Sequence, residues 1–161
     1  MAVLNVNLLF GDNVTSLILK HAMQHINSGS ILSANNGAAE FAPVHESDFL
    51  AAFNGLKPKD NKTLIGPEVL NYGEMVDILA KHAGKAPPSH GGFGNTLAAS
   101  LATSMFGDAI FPSHIAQFYR LLQTKAPLTG DVKGKVKFGD HYKEGAFSGV
   151  EELDWHNVIV D

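Results

Sequence analysis

Residues 93–106 read FGNTLAASLATSMF, and no Asp, Glu, Lys or Arg occurs anywhere from Ala86 to Gly107. At about 100° per residue, Leu97, Ala98, Leu101, Ala102 and Met105 share one broad face of a helix, and Thr96, Ser100, Thr103 and Ser104 take the other. A helix with no charge on either face belongs inside a helical core, where its hydroxyls bond carbonyls one turn back or line a pocket. Length argues against a membrane span, since the apolar part is about fourteen residues where a bilayer needs ~20. The stretch predicts a fold that is mainly α (α+β). Four to five helices surround a central uncharged helix at about 95–106, with a small sheet from the N- and C-terminal segments.

Downstream, Ser113 is read as the cap of a last helix on which Ile115, Phe118, Tyr119, Leu121 and Leu122 face inward. Upstream, Gly66-Pro67-Glu68 has the form of a helix start, with Pro at the first position and an acid in the first turn. Val69, Tyr72, Met75, Val76, Leu79 and Ala83 then make an apolar stripe that Gly84 ends. Ser47 is read as the cap of a short helix over 48–53, and Lys57 to Lys62 as a charged turn. A longer helix is expected from Val14 to about Asn27, apolar along Leu17, Ile18, Ala22, Met23 and Ile26. Near the chain's beginning Ala2, Leu4, Val6, Leu8 and Phe10 alternate with Asn5 and Asn7, a strand with one face on the core. Val132, Val136 and Phe138 alternate with Lys133, Lys135 and Lys137, which suits an exposed sheet edge. The aromatic and β-branched run over 155–160 is expected to pair with the N-terminal strand. No internal repeat or boundary divides the chain, so a single globular domain over 1–161 is expected.

Composition narrows the function classes. At 161 residues, with 45% apolar and 17% charged side chains, the chain has the length and apolar content of one cored domain. A formal charge of −4, with no basic stripe beyond the three-lysine ladder, argues against nucleic acid. The absence of cysteine excludes disulfides, thiolate metal sites and a Cys nucleophile. The opening MAVLNVNLLFG lacks a basic region and carries Asn inside its apolar run, so it reads poorly as a signal peptide. A soluble, cytoplasmic protein with no membrane partner is expected.

Eight histidines against twelve Lys plus Arg is a high ratio, and their placement carries most of the chemistry. His21 and His25, four apart in HAMQH, project from one side of a helix. His25 falls inside the apolar arc, and His114 lies between the positions of Phe118 and Leu121. Such a pair holds zinc or a similar metal well, and His114, Glu46 or Asp48 can complete a facial site. The cofactor is left open, with a divalent metal or haem as the candidate. The competing reading is that these are border histidines, each bonded to a carbonyl or hydroxyl, and the Glu of an HExxH motif is missing.

Two further groupings bear on catalysis. His45-Glu46-Ser47-Asp48 sets an imidazole beside two carboxylates, the minimum for general acid–base work by His45, Glu46 and Asp48. The alternative is a helix start rich in caps. The loop Ser89-His90-Gly91-Gly92-Phe93-Gly94-Asn95-Thr96 leads into a helix N-terminus, where His90 and backbone N–H groups at Gly92 and Gly94 suit a phosphate. It matches neither a Walker loop nor a dinucleotide fingerprint. Asp140-His141 reads as a solvated pair, and no G-x-S-x-G elbow occurs.

The expected function is binding of a small-molecule ligand or cofactor by a helical protein, with enzymatic activity left open. Its pocket lies beside the central helix, lined by Ser100, Thr103 and Ser104 and by histidines such as His114. One alternative is a non-enzymatic interaction protein that forms a homo-oligomer through the edge strand and tail. The other is a phosphate-ligand enzyme using the Gly91–Thr96 loop.

Overall fold

The structure is a computed structural model that describes residues 1–12, 22, 26, 30–31, 38–90 and 127–142. Among them run β1 (Val3–Val6), β2 (Leu8–Phe10), β3 (Ser30–Ile31), β4 (Glu40–Phe41), β5 (Pro43–His45), α1 (Glu46–Asn54), β6 (Asn61–Ile65), β7 (Leu70–Asn71), α2 (Tyr72–His82), β8 (Ser89–His90), β9 (Val132–Lys133) and α3 (Phe138–His141). Three delimited helices among nine short strands correct the expectation of a mainly α fold with four to five helices. The architecture over the described residues is mixed, and most of its pairings are parallel.

The N-terminal run changes partner midway. β1 pairs parallel with β6, Val3 opposite Asn61 and Val6 opposite Leu64. After Asn7, β2 pairs parallel with β5, Leu8 opposite Pro43 and Phe10 opposite His45. At the switch, the Asn7 side-chain amide donates to the Pro127 carbonyl at 2.8 Å. β9 joins the free side of β6, also parallel, so a strand from mid-chain stands between β1 and β9. The first two residues of β6, Asn61 and Lys62, fall in what the sequence presents as the end of a charged turn. The strand's five residues, NKTLI, run from polar to apolar without alternating, and only Leu64 and Ile65 are buried.

β5, α1 and β6 follow one another as strand, helix and strand, with β5 paired to β2 and β6 to β1 and β9. The two pairs are drawn together where the Gly66 N–H donates to the Ala42 carbonyl at 3.0 Å. A Cβ at Gly66 would overlap the Pro43 carbonyl, so only glycine allows that approach. The remaining pairs are short: β3 with β8 in parallel and β4 with β7 antiparallel.

α2 anchors the core. Tyr72, Met75, Val76, Leu79 and Ala80 are buried with Leu8, Phe10, Phe41, Phe138 and Tyr142. The helix begins at Tyr72 rather than after Pro67. Asn71 accepts from the Glu74 N–H while Glu74 accepts from the Asn71 N–H, both at 2.8 Å. This reciprocal cap satisfies two otherwise orphaned donors, and Pro67 and Glu68 form a bend ahead of the helix. Likewise α1 is capped by His45, not by Ser47.

Ala22 and Ile26 are helical and buried. The remainder of the 14–27 helix, the central helix at 95–106, the helix after Ser113 and the 155–160 run lie outside the described residues. Among the described residues, no helix is long and apolar enough to cross a membrane.

Candidate functional site

β2 and β5 end side by side, and a group of polar side chains collects at their carboxyl ends. Phe10 stands opposite His45 in the register. Gly11 and Asp12 leave the end of β2, while Glu46 and Ser47 open α1. Carboxyl ends of parallel strands are where sheets of this kind present groups to ligands, because the chains diverge there into helices and loops. Gly11 is required: its φ is +152°, and a Cβ would lie 2.6 Å from the Glu46 side chain folded over it.

A fourth segment completes the cluster. α3 brings His141 against His45, Nδ1 to Nε2, at 3.0 Å. Two carboxylates fix the approach to α3. One Asp48 oxygen accepts from the Lys135 and Val136 N–H groups at 2.7 and 2.9 Å. Glu68 accepts from the Phe138 N–H at 3.0 Å. Gly134 leaves room for the first anchor, since a Cβ there would sit 2.8 Å from the same Asp48 oxygen. Charge-assisted bonds of this kind are about twice as strong as neutral ones, so His141 is held by backbone tethers on both sides of residue 137.

The hydrogen bonds fix the proton on each ring. The Ser47 backbone N–H donates to His45 Nδ1 at 3.2 Å, and a backbone N–H only donates. His45 Nδ1 is therefore bare, and the ring's proton is on Nε2. That proton is donated to His141 Nδ1, so His141 in turn carries its proton on Nε2, which lies 3.3 Å from Asp12 Oδ1. At the other end the Ser47 hydroxyl is 2.8 Å from His45 Nδ1 and donates to the same bare nitrogen. A single line of one polarity runs from Ser47 Oγ through two neutral imidazoles to the Asp12 carboxylate.

Aromatic rings support that line from below. Phe10, fully buried, meets the His45 ring edge-on at 5.2 Å and the His141 ring at 5.7 Å. Phe138 and Tyr142 pack beside it. Burial pushes the Tyr142 phenol above its usual range, and the neighbouring Asp12 and Glu46 carboxylates push the same way. The ends of the line are open: the Asp12 side chain is 86% exposed against 15% for His141, and Ser47 is exposed. Both ends of the line thus face solvent, away from the aromatic floor.

The sequence-predicted residues fall unevenly on this geometry. His45 is central to it. Glu46 is half-buried over Gly11, and Asp48 is engaged by two backbone donors. Of His90 only the backbone is described, paired with Ile31. His21, His25, Ser100, Thr103, Ser104, His114, Gly92 and Gly94 lie outside the described residues.

Over the described residues the metal expectation is corrected, while the set His21, His25 and His114 lies outside them. Among the described residues no group of three His, Cys, Asp or Glu is placed to hold a metal ion. The two imidazoles that do meet use their nitrogens on each other, on Ser47 and on Asp12.

Asp12, Ser47 and His141 were not singled out as site residues by sequence reasoning. Ser47 reads as a helix cap and His141 as a solvated neighbour of Asp140. Only the pairing of β2 with β5, and the anchored path to α3, brings them together. No family model matches this chain, and no curated protein matches it either.

Proposed function

We propose that this protein is a small-molecule-binding enzyme that moves protons with His45, in a site at the carboxyl ends of β2 and β5. The observation that carries this reading is the unidirectional line Ser47–His45–His141–Asp12. A neutral imidazole whose unprotonated nitrogen meets an exposed hydroxyl has the form of a general base. When His45 takes a proton at Nδ1, its Nε2 proton shifts toward His141 and the developing charge is balanced by Asp12. His141 and Asp12 are positioning residues that stabilise the protonated base without touching the ligand. The histidine-dependent ligand site expected from sequence is kept here, but at strand ends rather than beside a central helix.

The test uses 5-nitrobenzisoxazole, whose ring opens on removal of one proton and needs no nucleophile. The protein is expected to accelerate the opening roughly 10²-fold over the same concentration of free imidazole. His45→Gln should abolish the gain, and His141→Asn should reduce it and shift its pH profile. A wild-type rate no greater than that of free imidazole, or a His45→Gln rate equal to wild type with an unchanged melt, overturns the reading.

A further inference from the structure

We infer that Ser47 Oγ is a nucleophile toward activated acyl esters, so that the site transfers and hydrolyses acyl groups. This rests on His45 being the base proposed above and adds the group that base activates.

Four observations converge on Ser47. Its hydroxyl lies 2.8 Å from His45 Nδ1, within the reach that nucleophile and base require. That nitrogen is the bare one, because the Ser47 N–H points at it. The base is itself oriented by a third and fourth group, His141 and Asp12. Ser47 is also exposed, so an ester carbonyl can approach Oγ, whereas a buried capping hydroxyl is closed to substrate. Its place in the first turn of the nine-residue α1 adds the positive end of a helix dipole beside the developing oxyanion. The sequence lacks the G-x-S-x-G elbow, but that motif is one way of exposing a serine at a strand-to-helix turn. Here β5 runs directly into α1 and makes such a turn with different residues.

The step balances as follows. Ser47 Oγ attacks the ester carbonyl carbon as its proton passes to His45 Nδ1, and His45 shares its Nε2 proton with His141 and Asp12. The tetrahedral intermediate collapses, the carbon–oxygen bond to the leaving group breaks, and the alkoxide or phenoxide departs with the proton from Nδ1. An acyl ester remains on Ser47. Water, deprotonated by the same nitrogen, attacks that ester, releases the carboxylic acid and restores the hydroxyl.

The experiment treats the full chain with p-nitrophenyl acetate and reads nitrophenolate release together with the mass of the labelled peptide. A burst is expected with acetyl on the peptide containing Ser47. Ser47→Ala should cut the burst at least tenfold while keeping the wild-type melt. Folding is preserved in that variant because the position is exposed and its N–H still caps onto His45. Ser47→Cys should keep acyl transfer and react with iodoacetamide faster than a free thiol. Asp12→Asn should slow acylation and shift its pH profile. Acetyl found only on His45 or on lysines, or a Ser47→Ala burst equal to wild type, overturns the nucleophile and leaves the proton-transfer reading standing. Loss of benzisoxazole activity in the wild type removes both.

Discussion

α1 and α2 are helices of similar length, nine and eleven residues, but they are held in place by different physics. α2 buries Tyr72, Met75, Val76, Leu79 and Ala80 on one stripe and closes its start with a reciprocal cap. None of the residues of α1 is buried, and Leu50 and Phe53 are each 55% exposed. What ties α1 down is polar and lies at its beginning: the His45 cap, the fold of Glu46 over Gly11, and the bonds from Asp48 to the 135–136 backbone. A helix held by burial serves the core. A helix held by polar contacts at one end places those side chains where the strands open.

The sharpest way to break this contrast is to truncate one leucine on each helix. Leu79 is fully buried in the core, so Leu79→Ala should cost about 2–5 kcal/mol of unfolding free energy through lost transfer energy and the cavity left behind. Leu50→Ala should stay within about 0.5 kcal/mol. Urea denaturation of the two variants measures both. A Leu50→Ala loss above about 2 kcal/mol would place α1 among the burial-driven helices and dissolve the distinction.

A smaller effect tests the polar side of the comparison. Asp48→Ala removes the acceptor for two backbone N–H groups at once, and bonds to charged acceptors contribute about 1.5–3 kcal/mol. A loss of about 2 kcal/mol is expected, with weaker contact of His141 with His45 because the path to α3 is released. Asp48→Asn retains an amide oxygen that accepts from both donors, so it should recover most of the loss. The two variants are compared by denaturation and by the histidine resonances of the folded protein. Equal losses in both would mean that charge alone, not the paired donors, fixes the loop.

The same contrast accounts for what was legible in the sequence. The stripe of α2 was readable because burial against one face imposes a period of 3.6, and Tyr72, Met75, Val76 and Leu79 obey it. Its start was misplaced because Pro67 and Glu68 imitate a first turn, although Asn71 and Glu74 carry the true capping pattern three residues apart. β6 was lost because a five-residue parallel strand has no periodicity of its own and its meaning lies in its partners. The site was half legible. His45 could be suspected from its neighbours, but His141 is 96 residues away. Nothing local distinguishes an imidazole that will face another from one that will face water. Two- and three-residue strands carry the pairing that decides this, and strands that short leave no pattern to read.

The smallest expected effect separates the two regions by pH. Tyr142 packs at the α1 side of the core, where burial first, then Asp12 and then Glu46, hold its phenol in the neutral form beyond its ordinary range. Its folded pKa is raised, so its contribution is fully present below the unfolded value of about 10. Above that value the unfolded chain releases a proton that the fold retains, and stability falls by about 1.4 kcal/mol for each pH unit. Tyr142→Phe removes that slope, whereas Tyr72 on α2 is unchanged in both chains and cancels from the difference. Denaturation of wild type and variant between pH 9 and pH 11.5 should therefore give curves that run parallel up to about pH 10 and converge or cross beyond it. Asp12→Asn, which deletes the second cause of the shift, should leave that slope in place over this range, since burial is the larger cause and keeps the folded phenol protonated. Curves that stay parallel to the end would mean that Tyr142 is hydrated, and the floor beneath His45 and His141 would then be open to water rather than sealed by aromatic rings.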